Sequence, residues 1–288
     1  MSEQRRDAGS SGEFEGRSAL ITGAARGQGR SHAVELARRG ADIVAVDVCG
    51  PVETADQVPS SVDDLAETVR LIEEVGGRCL PIVADVRSDE QMQAAAERGA
   101  LEFGKIDILL ANAGMMHMAS FNETTPESFG VQIDVMLRGV ANSIRAVLPG
   151  MRERGYGRIV ATGSGGARAG FANLSAYCAA KWGVIGLCKS LALEVAREGV
   201  TVNVVNPFTV NTMLNWNETF YKVMRPDLEH PTKEDAIVAL RSLNEVPIDY
   251  LEPIDISHAI LYLVSDGAVN VTGTVLDVMA GRNAHNSA

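Results

Sequence analysis

The sequence predicts an α/β fold, namely a single doubly wound domain around a central parallel sheet of about seven strands. Short apolar runs alternate with longer amphipathic runs along the chain, which is typical of repeated strand–helix–strand units. Within the short runs polar and apolar residues do not alternate, which indicates strands that are buried on both faces. No internal repeat or linker interrupts the series, so we expect residues 14–288 to form one domain.

The short apolar runs are the expected strands, and they lie at 18–22, 42–47, 80–84, 106–111, 158–162, 200–205 and 275–278. The amphipathic runs are the expected helices, and they lie at 28–39, 64–75, 128–151, 176–196 and 255–264. The helical period is clearest in the run at 64–75, where apolar residues recur at positions i, i+4, i+7 and i+10. Those residues are Leu65, Val69, Ile72 and Val75.

Two stretches interrupt this rhythm. The first, 48–62, contains Gly50, Pro51 and Pro59 and lies between the second strand and its helix, where short turns are usual. The second, at about 207–235, follows the sixth strand and carries prolines and aromatic side chains. A long aromatic segment at the carboxyl end of a strand is typical of a lid over a ligand. We therefore expect an insertion at 48–62 and a lid at about 207–235.

The composition argues against several classes of protein. With 26 basic and 37 acidic residues, the chain has a net charge of −11, which disfavours binding to nucleic acid. No apolar run reaches the roughly 18 residues that would span a bilayer, so we expect no membrane partner. The five histidines lack the spacing of metal ligands, so we expect no metal site.

The cysteines and the N-terminus indicate a cytoplasmic protein. None of the four cysteines forms a CxxC pair, and a chain of this length does not need disulfide bonds to fold. Residues 1–13 are polar and lack the apolar core of a signal peptide. We expect them to form a flexible tail.

A glycine-rich loop from Thr22 to Gly29 joins the first strand to the first helix. Its glycines let the backbone turn tightly and approach a pyrophosphate, whose charge suits the N-terminus of a helix. Asp47 ends the second strand, where a carboxylate accepts hydrogen bonds from an adenosine ribose and repels a 2′-phosphate. Arg26 has the opposite influence, since a base in this loop can hold such a phosphate, but the carboxylate is the stronger of the two. We therefore predict NAD rather than NADP as the cofactor.

Tyr177 and Lys181 lie four residues apart, so they share one face of the expected helix. A nearby ammonium favours phenolate over phenol and so lowers the pKa of a tyrosine. Tyr177 is then a general acid or base suited to interconverting an alcohol and a ketone. Ser164 ends the fifth strand, and its hydroxyl can hold the carbonyl oxygen. An isolated YxxxK pair is mostly structural, so this interpretation depends on all three residues occurring together.

Together with other motifs, these residues resemble the short-chain dehydrogenase/reductase family from about residue 16 to residue 281. The shared motifs are the TGxxxGxG loop, Asp85-Val86, Asn112-Ala113-Gly114, Ser164, Tyr177 with Lys181, Asn206-Pro207 and Val271-Thr272-Gly273. The resemblance implies a Rossmann-type dinucleotide-binding and catalytic domain. Homotetramers are usual in that family, and the helices at 128–151 and 176–196 would form the interface.

The resemblance also implies roles for the catalytic residues. Tyr177 would be the acid or base, Lys181 would hold the nicotinamide ribose and lower the pKa of Tyr177, and Ser164 would orient the substrate. Asp85 and Val86 would contact the adenine, residues 112–114 would brace the central strand, and residues 207–212 would contact the nicotinamide amide. The expected cofactor site comprises Gly23, Arg26, Gly27, Gln28, Gly29, Asp47, Val48, Asp85, Val86, Asn112, Ala113, Gly114, Thr162, Tyr177, Lys181, Pro207, Phe208, Val210, Thr212 and Met213.

Within the family, the chain is similar to the mycofactocin-coupled group, which includes carveol dehydrogenase-like proteins. The cues are the sequence at 23–48, the insertion after the second strand and the stretch at 225–236. In that group the insertion covers the cofactor, so NAD stays bound and passes its electrons to the peptide-derived carrier mycofactocin. The resemblance therefore implies that NAD co-purifies with this chain and that mycofactocin is a partner.

Two positions depart from the family pattern. Met136 stands where the family usually has an asparagine that helps hold a water in the proton relay from lysine to solvent. A thioether is a weak acceptor and cannot donate, and Asn142, about 240° further round an ideal helix, should not replace it. Either a water held by the backbone suffices and activity is reduced but real, or the relay no longer functions. Phe208 replaces the usual glycine after Pro207, which predicts a narrower loop beside the nicotinamide.

The expected substrate pocket is apolar and irregular. Flexible thioethers and aromatic rings suit such a pocket, although the same side chains also serve in ordinary core packing. The expected lining residues are Met116, His117, Phe208, Met213, Trp216 and Tyr221.

Two functions are compatible with the sequence. The first is an NAD-dependent oxidoreductase that interconverts a small apolar secondary alcohol and its ketone. The second is a nucleotide-binding regulatory or interaction protein that kept the fold and lost turnover. Met136 favours the second function, whereas the intact Ser164, Tyr177 and Lys181 favour the first.

Overall fold

The computed structural model describes residues 12–285. Of the tail expected at 1–13, all but Gly12 and Glu13 lies outside the described residues. Within the described range, the strands are β1 (Ser18–Thr22), β2 (Asp42–Asp47), β3 (Cys79–Val83), β4 (Ile108–Ala111), β5 (Gly157–Thr162), β6 (Val200–Pro207) and β7 (Val275–Val278). The α-helices of the same range are α1 (Gly27–Arg38), α2 (Val62–Glu74), α3 (Asp89–Phe103), α4 (Pro126–Ile133), α5 (Gly139–Arg154), α6 (Ser175–Val195), α7 (Glu218–Met224), α8 (Lys233–Arg241) and α9 (Pro253–Val264).

All seven strands run parallel in one sheet, in the order β3-β2-β1-β4-β5-β6-β7. The predicted fold class, a single doubly wound domain with a parallel sheet, is confirmed. The strand order reverses between β1 and β4, which leaves a crevice at the carboxyl ends of these two strands. In doubly wound sheets ligands bind in that crevice.

The sheet is buried on both faces, as the non-alternating strand sequences predict. On one face Leu20 and Val44 pack in a core with residues of α3, α5 and α6. On the other face Ile21 and Ile43 pack with residues of α1, α2 and α9. Full burial of each such side chain contributes about 1.5–3 kcal/mol, so this core fixes the strand ends from which the site is built.

The helix expected at 128–151 is divided. α4 ends at Ile133, a single π turn spans Asp134–Arg138, and α5 begins at Gly139. A Cβ at Gly139 would lie 2.6 Å from Val86, so α5 begins in close contact with the loop after β3. The backbone stays helical throughout, so the predicted helix is present, but the π turn was not predicted because the apolar period of a sequence does not register its single extra residue.

Three helices were not predicted, namely α3, α7 and α8. The Ser88 side chain caps the start of α3, and Gly104 ends it in the left-handed conformation of a C-terminal cap. Thr232 and Asp235 form a capping box at the start of α8. The sequence contains these capping signals, although the apolar period of the segments is weak. The lid expected at about 207–235 therefore contains helices, and its expected end falls inside α8.

Residues 12–285 contain neither a helix that could span a membrane nor a cluster of metal-binding side chains. None of the helices in this range combines the length and apolar composition that crossing a membrane requires. Within the same range, no group of three or more His, Cys, Asp or Glu side chains is arranged so that it could hold a metal ion. Cys49, Cys79, Cys178 and Cys188 are free thiols.

Candidate active site

A cavity of about 540 Å³ opens at the carboxyl ends of the strands, in the crevice between β1 and β4. Its wall contains every residue of the expected cofactor site except Gly29. Those wall residues are Gly23, Arg26, Gly27, Gln28, Asp47, Val48, Asp85, Val86, Asn112, Ala113, Gly114, Thr162, Tyr177, Lys181, Pro207, Phe208, Val210, Thr212 and Met213.

The glycine loop turns tightly between β1 and α1. Gly23 and Gly27 have positive φ angles of 68° and 57°, which residues with side chains rarely adopt. Gly29 lies behind the loop, where a Cβ would come 2.0 Å from the carbonyl oxygen of Gly23. A contact between Gly29 and the cofactor stays a prediction, while the structure shows that Gly29 allows the close packing of α1 against the loop. This packing brings the N-terminus of α1 to the cavity, an arrangement that binds a diphosphate.

Asp47 ends β2 and is buried, and its carboxylate accepts three hydrogen bonds from the chain. The donors are the N–H of Ala25 at 3.0 Å, the N–H of Cys49 at 3.1 Å and the hydroxyl of Ser60 at 2.6 Å. A carboxylate offers about four acceptor positions, so one position remains for a ribose hydroxyl. Asp47 thereby joins the glycine loop to the insertion.

Arg26 belongs to the glycine loop, but its side chain hydrogen-bonds to the insertion. Its guanidinium donates to the carbonyl oxygens of Val58 and Pro59, the latter at 3.2 Å. Arg26 could hold a 2′-phosphate, as its place in the sequence suggests, only after these hydrogen bonds break.

Residues 48–61, the part of the expected insertion that precedes α2, are here named the strap, which crosses the crevice from the end of β2 to the loop after β4. The Asp56 carboxylate lies 3.0 Å from Nδ1 of His117 and accepts the N–H of Met118 at 2.7 Å. The Asp56 N–H donates to the carbonyl oxygen of Met116 at 2.9 Å, and the Met116 N–H donates to the Gln57 side chain at 3.1 Å. Residues of the strap also line the cavity, so the strap roofs the part of the cavity beside Asp47.

Asn112 connects the ends of three neighbouring strands. Its side-chain amide donates to the carbonyl oxygen of Thr22 on β1 at 3.0 Å and accepts the hydroxyl of Thr162 on β5 at 3.2 Å. The backbone N–H groups of Asn112 and Ala113 donate to the Thr22 hydroxyl at 3.0 and 3.1 Å. These bonds hold the floor of the cavity in one arrangement.

Ser164, Tyr177 and Lys181 meet at the end of the cavity opposite the strap. Tyr177 and Lys181 lie one turn apart on α6, and Ser164 follows the end of β5. A Cβ at Gly166 would lie 3.1 Å from the Tyr177 ring, so this glycine allows the loop after β5 to approach the tyrosine. The Lys181 ammonium donates to the carbonyl oxygen of Thr162 at 2.7 Å and lies 5.9 Å from the centre of the Tyr177 ring.

Burial dominates the pKa values of these two groups. It raises the pKa of Tyr177 to about 12, although the nearby Ser164 side chain acts to lower it. It lowers the pKa of Lys181 to about 8. That Lys181 lowers the pKa of Tyr177 stays a prediction, since the ammonium donates to Thr162 and burial outweighs the other influences on the phenol.

Comparison with known proteins identifies the family. Residues 17–220 match the family described as short chain dehydrogenase. This chain belongs to the short-chain dehydrogenase family. The resemblance drawn from the sequence motifs, including that to the carveol dehydrogenase-like group, is confirmed.

Relatives of this dehydrogenase match it over almost its whole length. The (-)-trans-carveol dehydrogenase of Rhodococcus erythropolis is 43% identical over 270 residues, which cover 93% of this chain and 97% of the relative. The crystal structure of carveol dehydrogenase from Mycobacterium avium in complex with NAD has a TM-score of 0.91 at 39% identity and covers 94% of this chain and 99% of that one. The structure of a short chain dehydrogenase from Mycobacterium paratuberculosis bound to NAD has a TM-score of 0.86 at 33% identity and covers 95% and 100% of the two chains.

The dehydrogenase has a thioether where the family resemblance implies an amide. Met136 lies in the π turn, is fully buried and lines the cavity. Asn142 lies elsewhere, because its amide donates to the carbonyl oxygens of Val86 at 2.9 Å and Arg87 at 3.1 Å. Asn142 therefore anchors the loop after β3 and does not take the place of the missing amide.

Phe208 narrows the cavity of the dehydrogenase beside Ser164. A Cβ at Gly165 would lie 3.0 Å from the Phe208 ring. The ring centre lies 6.5 Å from that of Phe171, and the guanidinium carbon of Arg282 lies 4.9 Å from it. A glycine at position 208 would leave this volume open.

Three of the six residues expected to line the substrate pocket do so, namely Met116, Phe208 and Met213. The expectation is wrong for His117, because its ring turns toward Asp56 and the strap.

The expectation is also wrong for Trp216 and Tyr221. The Trp216 indole donates to the side chain of Asn211 at 2.7 Å and packs edge-on against Phe220 and Tyr250, so it stays outside the cavity. Tyr221 lies beside the cavity-lining residues of α7, which follow the i, i+3, i+4 spacing from Phe220, and is not among the residues that line the cavity. Those of α7 are Phe220, Val223 and Met224.

Sequence reasoning missed a large part of the apolar wall of the dehydrogenase. These residues lie in α7 and the segment before it, in α8 and the turn after it, and in the loop between Ser164 and Tyr177. They are Phe171, Leu174, Leu214, Phe220, Val223, Met224, Leu240 and Leu243, with Arg282 beside Phe208. The helical spacing in α7, read from its N-cap Asn217, could have identified the residues of that helix. The residues of the loop carry no such pattern.

Proposed function

We propose that this chain interconverts a small apolar secondary alcohol and its ketone, a reaction of the kind that the name of its carveol dehydrogenase relatives indicates for those proteins. It is an NAD-dependent short-chain dehydrogenase that acts on CH–OH groups. One observation carries the proposal. Ser164, Tyr177 and Lys181 converge at one end of a single cavity, and the glycine loop and Asp47 form the other end.

The residues present fit NAD. At Gly23 and Gly27 the loop has no Cβ atom to keep a diphosphate from the backbone, and the N-terminus of α1 supplies N–H groups suited to an anion. Asp47 offers an acceptor to a ribose and a negative charge where NADP has a phosphate. When bound, NAD supplies the acceptor for the hydride that leaves the carbinol carbon.

We assign proton transfer to Tyr177. Ser164 and Tyr177 would both hydrogen-bond the substrate oxygen, and Tyr177 would take the alcohol proton during oxidation and return it during reduction. Because burial raises the pKa of Tyr177 to about 12, the chain by itself holds a neutral phenol at pH 7, the form that donates to a ketone. Oxidation requires the phenolate, so we expect its rate to increase as the pH rises. Lys181 would hold the nicotinamide ribose and provide positive charge near the tyrosine.

The wall beside Ser164 supports an apolar substrate. It is built from the rings of Phe171, Phe208 and Phe220 and from methionines such as Met116 and Met213. Methionine side chains adapt to irregular shapes, and rings supply large apolar surfaces. A cyclic or terpenoid alcohol would bury most of its surface against this wall.

We further propose that the strap keeps NAD bound and that mycofactocin accepts the electrons. The bonds of Asp56 and Gln57 to residues 116–118, and those of Arg26 and Ser60 at the other end, support slow release. A nucleotide beneath the strap could leave only after such bonds break. Reduced cofactor that stays in place must be reoxidised in place, which is the role implied for mycofactocin.

The boundaries, assembly and location of the chain are proposals as well. We take 48–62 as the insertion and about 207–235 as the lid of a domain that starts at residue 14. We propose a homotetramer built on α4, α5 and α6, since Trp182 and Leu193 on α6 have exposed fractions of 53% and 85%. The free cysteines support a cytoplasmic location.

The experiment that tests the function is single-turnover reduction of bound NAD with a panel of secondary alcohols. We expect absorbance of NADH to appear with small cyclic alcohols and not in the Tyr177→Phe variant. Absence of reduction with every alcohol would favour the alternative, a nucleotide-binding protein that has lost turnover. Unchanged reduction in Tyr177→Phe would contradict the role of the tyrosine. Nucleotide released by denaturing the purified protein would test retention of NAD.

A further inference from the structure

Asp277 on β7 is hydrogen-bonded to two other side chains, and none of the reaction steps proposed above involves it. Its Oδ1 atom accepts from the Asn206 amide at 3.0 Å and from Nε of Arg168 at 3.2 Å. The carboxylate is only 15% exposed and does not line the cavity. It cannot touch substrate or cofactor there, so any influence on the reaction must pass through Asn206 and Arg168.

Asn206 on β6 links Asp277 to the backbone of Ser164. It is fully buried, and its Oδ1 atom accepts the N–H of Ser164 at 3.0 Å. An amide side chain can present either its oxygen or its nitrogen to a neighbour, whereas a carboxylate only accepts. Asp277 therefore holds the amide nitrogen on its own side and leaves the oxygen for Ser164. A Cβ at Gly163 would lie 1.9 Å from that oxygen, so the approach requires glycine there.

Arg168 provides a second link between β7 and the same loop. A short 3-10 turn, Gly165–Ala167, follows Ser164, and Arg168 comes directly after it. In addition to its bond with Asp277, Arg168 donates to the carbonyl oxygen of Val275 at 3.3 Å. The loop that carries Ser164 is thus linked to β7 through Asn206 at one end and directly through Arg168 at the other.

The position of this loop determines where the Ser164 hydroxyl lies. That hydroxyl accepts the N–H of Gly166 at 3.1 Å, and Ser164 lies close enough to Tyr177 to act on its pKa, which it tends to lower. Hydrogen bonds weaken steeply as their angle departs from linearity, so a small shift of the loop would weaken the contact with Tyr177.

We propose that Asp277 is a positioning residue for the dehydrogenase reaction, which fixes the Asn206 amide and Arg168 and thereby holds the Ser164 hydroxyl beside Tyr177. This inference rests on the proposed function, because the position of Ser164 affects turnover only if the chain converts alcohols.

The variants that test it are Asp277→Leu, which removes the acceptor, and Asp277→Asn, which keeps an oxygen that can accept. We expect Asp277→Leu to lower kcat roughly 10- to 100-fold with little change in KM, as loss of alignment of one catalytic group would. We expect Asp277→Asn to restore most of this loss. Asp266→Asn is the matched control, since Asp266 also pairs with an arginine, Arg17, but next to the start of β1.

The pH profile of alcohol oxidation separates positioning from general loosening. Ser164 acts to lower the pKa of Tyr177, while burial and the Cys178 thiol act to raise it, and Lys181 lies over the ring. Asp277→Leu should therefore move the apparent pKa of the profile upward, in the same direction as Ser164→Ala. A variant that is only less stable would keep the wild-type profile.

A double-mutant cycle completes the test. In a Ser164→Ala background Asp277→Leu should have little further effect on kcat, because the group that it positions is gone. Equal kcat and an equal pH profile in folded Asp277→Leu, or a full additional loss in the Ser164→Ala background, would overturn the proposal. If Asp277→Leu does not fold, Asp277→Asn replaces it in the cycle, and its smaller loss must likewise vanish in the Ser164→Ala background.

Failure of the proposed function has a different signature. A wild-type chain that converts no alcohol would contradict that function alone. The positioning role is then measured by hydrogen exchange of the Ser164 amide, which should be faster in Asp277→Leu than in the wild type, Asp277→Asn and Asp266→Asn. Unchanged exchange would overturn it.

Discussion

Nδ1 of His117 lies 3.0 Å from a carboxylate oxygen of Asp56, and the other carboxylate oxygen accepts the N–H of Met118 at 2.7 Å. A single side chain of the strap therefore makes two bonds across the crevice. Because Asp56 accepts the backbone N–H of Met118, this hydrogen bond does not depend on the side chain at position 118. The strap is consequently fastened at a point opposite Asp47, with the cavity between them.

Replacing Asp56 with alanine should speed the release of NAD. The change removes two hydrogen bonds, each worth about 0.5–1.5 kcal/mol, so the release rate should rise by roughly 10-fold or more. The rate is measured by displacing bound NADH with excess NAD and following the loss of protein-enhanced fluorescence. Asp63→Ala is the control, because Asp63 is an exposed acid at the start of α2 that makes no such contact. Equal release rates in the two variants would show that this contact does not retain the cofactor.

Restoring asparagine at position 136 should raise kcat. The Met136 thioether cannot donate a hydrogen bond, whereas an amide there could help hold a water near Lys181, and acid–base steps are worth roughly 10²–10⁴-fold in rate. The same change should lower the melting temperature, because a buried amide without full partners costs about 1–3 kcal/mol. Met136→Leu is the control, since it has similar volume and no polar atom. If the asparagine variant folds and its kcat equals that of the leucine variant, the proton relay does not limit this enzyme.

Lys181 should make the stability of the nucleotide-free chain depend on pH. Burial lowers its pKa to about 8 from a value of 10.5, so between these values the unfolded chain binds more protons than the folded chain. Stability therefore rises with pH in this window, by up to about 1.4 kcal/mol per pH unit, and falls as the pH drops through 8. Tyr177 does not interfere below pH 10, because its pKa is raised from 10.0 to about 12.

The measurement is the free energy of unfolding in urea at pH 8, 9 and 10, for the wild type and for Lys181→Met. The difference between the two should change in favour of the wild type as the pH rises, since other titrating groups cancel in the comparison. A difference that does not vary with pH would contradict the assignment of a buried ammonium.

The sequence predicts the sheet well because its strands are continuous apolar runs. It predicts α2 because the apolar residues at 64–75 recur with a helical period. It does not predict the π turn at 134–138, because one extra residue barely alters the apolar period. It identifies the YxxxK pair, but not the raised pKa of Tyr177, which depends on how much water the folded chain removes from the phenol.

The lid shows a different limit of the sequence. Its aromatic residues indicate a ligand-facing segment, but which ones face the cavity depends on the rotation of α7 and on the partners of each ring. Trp216 finds its hydrogen bond at Asn211 and its packing at Tyr250, so Phe220 faces the cavity instead. Such competition between neighbouring side chains is set by tertiary packing and has no periodic signal in the sequence.

Phe208 should determine the size of alcohol that the pocket accepts. Its ring fills the space beside Gly165, packs at a tilt against Phe171 and lies below the Arg282 guanidinium, so Phe208→Gly would open this volume. We expect kcat/KM for bulky bicyclic alcohols to rise relative to small cyclic ones by roughly 10-fold, since each methylene-sized contact in an apolar pocket is worth about 1–3 kcal/mol. Small alcohols should show a higher KM because they lose contact with the ring.

The control for this change is Phe121→Gly, because the Phe121 ring is 72% exposed and lies outside the cavity wall. The comparison uses the ratio of kcat/KM for two alcohols in the same protein, so a general loss of activity or of folded protein cancels. If Phe208→Gly lowers kcat/KM for both alcohols equally, the ring supports the loop around Ser164 and does not select substrates. A changed ratio that appears only at position 208 would identify the ring as the wall that limits substrate size.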